Sequence, residues 1–327
     1  MGDIGIVIVT FNSAAEIGAC LDAAMGTGAQ VVVVDNGSQD GTIAEIKPRA
    51  EHRAARGGVG RGVLLIANPS NQGFAAAVNQ GFAACDCPYV LVLNPDAVLA
   101  SPLEPMRDAC ARPGVAAAGG CLVDSEGRPQ VGFMVRRFPT PAVLVLEALL
   151  LNRLWPRNPI NRRYRELDLD PSVAREVEQP AGALLMVRHA VWRETGGFDE
   201  DFFPLWFEDV DFCRRVADRG YRLLYVPEVV AKHTGGHSIS HLTVEMRRFY
   251  WYGSLLRYSA RHFRPIAFRV VSLAVVTGSF LRMIAESVSQ RSLKPMAVYG
   301  KVVRLASRCC LFGWGEGPLG VRPPKIG

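Results

Sequence analysis

Three stretches of the sequence set carboxylates where they could act on a substrate. "FFPLWFEDVDFCRR" (202–215) places Glu208, Asp209 and Asp211 within four positions, directly behind Phe203, Trp206 and Phe207. Like charges this close repel, and aromatic neighbours reduce their hydration. A helix N-terminus offsets only several tenths of a kcal/mol per acid. An Asp211–Arg215 pair one helical turn apart accounts for another. Neither explains three acids beside large rings. An apolar wall raises a carboxylate's affinity for protons and excludes water, as a general base requires. The faces of Trp206 and Phe207 also suit stacking on a sugar ring. The second stretch, "VLNPDA" (92–97), presents Asp96 just past an apolar run. A lone carboxylate of this kind suits Mg²⁺ or Mn²⁺, which take one or two protein acids and fill the remaining positions with phosphate oxygens and water. The third, "VVVDNGSQDGT" (32–42), ends a strand at Asp35, before a turn whose amides can face phosphate. Asp35 either accepts the imide N–H of a pyrimidine base or closes an ordinary Asx-turn. In "KHTGGHS" (232–238), His233 and His237 are imidazoles that could ligate a metal or meet phosphate.

The elements that must carry these residues alternate over the first 120 positions. "GIVIVTF", "QVVVVD", "GVLLIA" and "YVLVL" read as buried strands, with helical patterns between them. Ser13 and Glu16 have the spacing of a capping box, and Ile17, Cys20, Leu21 and Ala24 share one helical face. β-Branched runs joined through helices predict a doubly wound sheet, whose ligands bind beyond the carboxyl ends of the strands. Thr10, Asn12, Asp35, Asn68 and Asp96 all fall at such ends. Further along, "PAVLVLEALLLNRLW" (141–155) predicts an apolar helix and "GALLMVR" (182–188) a strand. A helix follows from Asp209 to Arg219, stopped by Gly220, and then a strand at 221–227. The stretch 124–180, rich in Pro and Arg, is hard to read. The expected division is 1–125, 126–240 and a helical tail, 241–327.

Charge is unevenly spread. The net +6 resides in the tail, where twelve Lys or Arg between His241 and Cys310 face only Glu245 and Glu286. No nucleic-acid-reading motif accompanies them. An anionic membrane surface is the expected partner, and nucleic acid is not. The most apolar span, "VVSLAVVTGSFL", lies between Arg269 and Arg282. Twelve residues fall short of the ~20 that cross a bilayer, so a pair of surface-lying amphipathic helices is expected. The alternative is that these helices pack on the core with their arginines in water. The eight cysteines form no CxxC pair and read as reduced thiols of a cytosolic protein. The N-terminus has no secretory signature. With neither GxGxxG nor a Walker motif present, dinucleotide and P-loop chemistry are not favoured.

With these residues lined up, the chain resembles the inverting glycosyltransferases of family 2, and within them the rhamnosyltransferase-like branch. The resemblance rests on "VTFN", "VVVDNGSQDGT", "NPSNQGFAAAVNQGF", "VLNPDA", "GALLMVR", "GGFDEDFF", "FEDVDFCRR" and "KHTGGHS", in that order across roughly residues 4–240. It implies a GT-A-type α/β fold, with a nucleotide-binding half fused to an acceptor half. By the resemblance Thr10, Asn12, Asp35 and Asp40 would hold base and ribose, while Asn71, Gly73, Phe74 and Asn79 would line the nucleotide-sugar pocket. Asp96 matches the last acid of the family's metal-binding DxD. Asn94 stands where the first acid would be, so one strong ligand is left and His233 would complete the site. Asp209 would be the catalytic base with Glu208 beside it, and Trp206, Phe207 and Gly182 would shape the acceptor pocket. The implied partners are a nucleotide-diphosphate sugar, dTDP-rhamnose first, and a glycan or polyprenyl-diphosphate-linked acceptor at the inner face of the plasma membrane. UDP-hexose, hexosamine or galactofuranose donors, or a non-catalytic nucleotide-sugar-binding relative, are the alternatives.

Overall fold

A computed structural model describes residues 2–54, 62–235 and 243–314 of the chain. His237 lies outside the described residues. The first half runs β1 (Ile4–Thr10), α1 (Ile17–Gly26), β2 (Gln30–Asp35), α2 (Thr42–Ala54), β3 (Val63–Ala67), α3 (Phe74–Ala83) and β4 (Tyr89–Leu93). These four strands pair in parallel in the order β3-β2-β1-β4. All seven residues of β1 are buried. Helices covering both faces explain why it reads as an unbroken apolar run rather than an alternating one.

Next come β5 (Ala97–Leu99), α4 (Glu104–Ala111), β6 (Val115–Val123), β7 (Val135–Arg136), α5 (Pro141–Ala148), α6 (Leu151–Leu154), α7 (Pro159–Tyr164), β8 (Arg175–Val177) and β9 (Gln179–Pro180). They are followed by β10 (Leu184–Arg188), α8 (His189–Thr195), α9 (Glu208–Asp218) and β11 (Arg222–His233). β10 joins β4 antiparallel, and the sheet continues through β6 and β11 to β5, making it mixed. β11 is longer than the 221–227 strand expected. An irregularity between Val226 and Val230 breaks its register, after which it pairs with β5 as far as His233. His233 therefore ends a strand directly opposite Ala97, the neighbour of Asp96, instead of sitting in a glycine-rich loop.

Two local expectations fail for identifiable reasons. The helix start at Glu16 has no side-chain cap; the backbone carbonyl of Ser13, not its hydroxyl, accepts the N–H groups of Glu16 and Ile17. The predicted 141–155 helix is broken at Leu150, whose φ of 65° ends α5 and restarts the chain as α6.

The tail forms three helices, not a pair: α10 (Val244–His262), α11 (Pro265–Gln290) and α12 (Lys294–Phe312). The twelve-residue apolar span is only the middle of α11. With 26 residues, this helix is long and apolar enough to cross a membrane by length and composition alone. Arg282 does not interrupt it because the guanidinium turns inward, donating to the Glu147 carbonyl at 3.2 Å. The inner faces of the three helices build a second core around Leu144 and Ala148 of α5, Phe202, and Val210 of α9. Part of the basic charge closes this joint, through Arg257–Asp201 (2.7 Å) and Arg261–Asp199 (2.5 Å).

Candidate active site

Asp209 sits in the first turn of α9, where the helix dipole favours its ionised form. The turn is entered through Trp206 and Phe207, with φ of 80° and 70°. Two consecutive non-glycine residues in this region are strained by roughly 1–3 kcal/mol each, and such strain persists only where the surroundings enforce it. One Asp209 oxygen accepts the Gly182 N–H at 3.0 Å and Gln179 Nε2 at 3.3 Å; the other accepts the Val210 N–H at 2.8 Å. Burial pushes its carboxyl above the ordinary value, while those two backbone donors and the Arg136 charge pull it partly back. Beside it, Glu208 is 6% exposed, and its Oε2 has no hydrogen-bond partner. Burial, then the Asp209 charge, push Glu208 well above the usual carboxylate range. Of the pair, Asp209 is the carboxylate that the protein supplies with donors, which favour its ionised form.

Asp211, the third acid, is turned the other way and takes no part in this pair. It accepts from Arg215 (2.7 Å), His262 (2.8 Å) and Arg261 (3.1 Å). Burial pushes it up, but His262, Arg215 and Arg261 outweigh that and hold it below its ordinary value. The crowding of acids in the sequence therefore serves two sides of α9: Glu208 and Asp209 line the cavity, and Asp211 anchors α10.

Asp96 follows β4 and is buried, with His233 Nε2 at 3.5 Å from its Oδ1. Gln130 Oε1 lies 3.1 Å from His233 Nδ1, and the ring of Phe133 stacks on the imidazole at 5.2 Å. Burial pushes His233 below the ordinary imidazole value against the pull of Asp96, which favours the neutral form that a metal requires. Among the described residues no group of three His, Cys, Asp or Glu could hold a metal. Among the described residues the site offers one carboxylate, Asp96, and one imidazole, His233. That donor set fits a hard divalent cation that draws its other ligands from phosphate and water.

Asp96 and Asp209 line one cavity of about 390 Å³. It also takes in Asn71, Phe74, Asn94, Gly182, Trp206, Phe207 and Glu208 of the residues singled out above. Gly73, with φ of 90°, supports its edge through Asn36 Nδ2 donating to its carbonyl at 3.0 Å. The loop after β2 stands alongside. There Asp35 accepts from Thr10 Oγ1 (2.9 Å), Ser38 Oγ (2.6 Å) and the N–H groups of Ser38 (2.9 Å) and Gly37 (3.1 Å). These four bonds match the lone pairs a carboxylate offers, so Asp35 closes an Asx-turn and is engaged throughout. Asn12 Oδ1 accepts the Gln39 N–H at 2.8 Å, and Asp40 accepts from the Thr42 N–H (2.9 Å) and the Ala14 N–H (3.2 Å). All four side chains are thus tied into the loop they were expected to use for a base and ribose. Asn79 does not reach the cavity. Its amide is held by the backbone of Phe198, donating at 2.9 Å and accepting at 3.1 Å, and it lines a separate depression near Arg215.

Several lining residues were invisible in the sequence. Arg136, Gln179 and Tyr164 come from the stretch without readable periodicity, Val143 and Leu144 from an expected core helix, and Trp251 from the tail. Gly182 has a steric role: a Cβ there would stand 3.1 Å from Asp209 Cβ and 3.2 Å from its Oδ2. Gly182→Ala is expected to move the Asp209 carboxylate, at about 1–3 kcal/mol of overpacking. Turnover should fall about tenfold or more with donor KM little changed. Steady-state kinetics check this, and wild-type kcat in the variant would show that the close approach is immaterial.

The sequence model described as glycosyl transferase family 2 matches residues 5–173. Over 286 residues the chain is 30% identical to an N-acetylglucosaminyl-diphospho-decaprenol L-rhamnosyltransferase of Mycobacterium tuberculosis, covering 78% of this chain and 88% of that one. It is 26% identical to the rhamnosyltransferase WbbL of Escherichia coli, over 71% of this chain and 82% of that one. Its fold is similar to that of the mannosyltransferase PcManGT from Pyrobaculum calidifontis, solved with GDP-Man and Mn²⁺. The TM-score is 0.52 at 17% identity, with 96% of this chain and 88% of that one covered.

Proposed function

The chain belongs to glycosyl transferase family 2 and is a glycosyltransferase of GT-A fold, and from that premise we propose that it transfers L-rhamnose from dTDP-rhamnose to a hydroxyl of a polyprenyl-diphosphate-linked glycan. The similarity to two rhamnosyltransferases, one of them named for a decaprenol-linked acceptor, supports the choice of donor and acceptor. The observation that carries the mechanism is that Asp96 and Asp209 open onto the same cavity. In this reading Asp209 takes the proton from the acceptor hydroxyl, whose oxygen attacks the anomeric carbon opposite the diphosphate. The bond to the diphosphate breaks as the new one forms, so one displacement inverts the centre and no enzyme nucleophile is needed. Trp206 and Phe207 stack on the sugar and keep water out, and protonated Glu208 is a donor for an acceptor oxygen. Asp96 and His233 would hold Mg²⁺ or Mn²⁺, which when bound offsets the charge on the departing diphosphate. Arg136, which lines the same cavity, adds a positive charge that favours ionised Asp209. In this reading the enzyme works at the inner face of the plasma membrane, and the excess of Lys and Arg in its tail supports peripheral contact with anionic lipid.

The test is transfer from a panel of radiolabelled donors to a lipid-linked N-acetylglucosamine acceptor with Mn²⁺. dTDP-rhamnose is expected to be the productive donor. Turnover with a UDP-hexose, UDP-hexosamine or UDP-galactofuranose and none with dTDP-rhamnose would reassign the sugar. Donor binding without transfer or hydrolysis would make the protein a non-catalytic relative.

A further inference from the structure

We infer that the outward face of α11 is the surface by which this protein lies on an anionic bilayer, with the helix in the membrane plane rather than across it. This deepens the proposed membrane contact and rests on it. The helix carries two unlike faces. Ile266, Val270, Leu273, Leu281, Ile284 and Val288 are between 51% and 78% exposed. Their spacings of three, four and eight residues keep them within a stripe about 100° wide. At 1.5 Å per residue the stripe is about 33 Å long. An apolar strip this long is more than the scattered exposure of an ordinary soluble surface.

Charge says what covers it. Arg264, Arg269, Arg291 and Lys294 border the stripe and are exposed, and none has an ion-pair partner among the described residues. The one acid of α11, Glu286, is on the inner side, held by Arg248 and by Tyr299 Oη at 2.8 Å. An apolar band edged with free cations and no acid matches lipid headgroups of negative charge above acyl chains.

The inner face excludes a spanning arrangement. Phe268, Val271 and Val275 are buried in the second core. A Cβ on Gly278 would overlap the Ala148 carbonyl oxygen, so α11 rests directly on the end of α5. Arg282 bonds the Glu147 carbonyl of the same helix end, and Glu147, Val143 and Leu144 line the catalytic cavity. Crossing the bilayer would require peeling α11 off this contact. Lying flat keeps it, and sets the acceptor wall of the cavity one helix layer from the lipid.

The experiment is flotation of the full chain with phosphatidylcholine vesicles, with and without phosphatidylglycerol, read independently of sugar transfer. Wild type is expected to float with the anionic vesicles, to be released by high salt or alkaline carbonate, and to lose about tenfold or more in partitioning on Leu273→Asp/Ile284→Asp. Because both positions are exposed, thermal melting should stay unchanged. Should that variant not fold, Ile284→Trp supplies a second reading: its fluorescence is expected to be quenched by brominated lipid. Unchanged flotation of the double Asp variant, or an unquenched Trp, overturns the inference. Resistance to carbonate overturns the in-plane geometry in favour of a span. A lipid-independent dimer abolished by the same substitutions means that a second copy covers the face, and rejects it. Failure of flotation with transfer intact leaves the chemistry standing; loss of transfer with flotation intact leaves the surface standing.

Discussion

Asp209→Asn is expected to lower kcat by about 10²–10⁴-fold, the range that a positioned general base supplies, with donor affinity within about twofold of wild type. Asn has the same shape and can still accept the Gly182 N–H, so the entry to α9 is kept while the proton acceptor is lost. Titration calorimetry with the nucleotide-sugar, alongside single-turnover transfer, separates the two effects. A fully active Asn variant would remove Asp209 from the mechanism. The pH dependence has a definite sign. The base acts in its ionised form, and burial raises its pKa, so the acid limb of kcat/KM should lie above the ordinary aspartate value of about 3.9, with activity rising as pH climbs through it. Arg136 pulls the other way, and its removal should carry the limb further toward neutral pH.

Asp96→Ala is expected to weaken nucleotide-sugar binding about a hundredfold when Mn²⁺ is present, since it takes away the carboxylate of the proposed Asp96–His233 metal pair. With chelator, wild type and variant should bind alike. Binding measured in all four combinations decides the matter: equal affinity of wild type with and without metal would assign Asp96 a structural part beside β5. Asp96→Asn, which keeps the side-chain volume, guards against misreading a packing defect as lost metal.

The parts legible in the sequence share one physical property, a strong local pattern. β1 to β4 are apolar on both faces and so announce themselves as runs. α9 showed in the buried residues Phe212, Cys213 and Val216 and in the stop at Gly220. Asp96 and Asp209 stood out because each is an acid beside an apolar run, and the structure brings both to one cavity. What escaped has no local pattern. β7 and β9 are two residues each and exist through pairing with one another, so nothing within either stretch marks it. β5, three residues long, is held by β11. The orientation of Asp211 depends on Arg261 and His262, some fifty positions away, and sequence alone grouped it with Glu208 and Asp209. Asn79, expected from the resemblance to line the nucleotide-sugar pocket, is tied to the backbone of Phe198, a residue far off in the sequence, so its placement was not legible locally.

The Asp211 anchor bears on how the enzyme could be shortened. Cutting the chain before α10 would strip Asp211 of Arg261 and His262 and leave it Arg215 as its ion-pair partner, in the same first turn of α9 that carries Glu208 and Asp209. It would also bare Phe202 and Val210 to water. Helices α10 to α12 are therefore a buttress of the turn that carries Asp209, and a trimmed enzyme would inherit its motifs without the means to hold them in place.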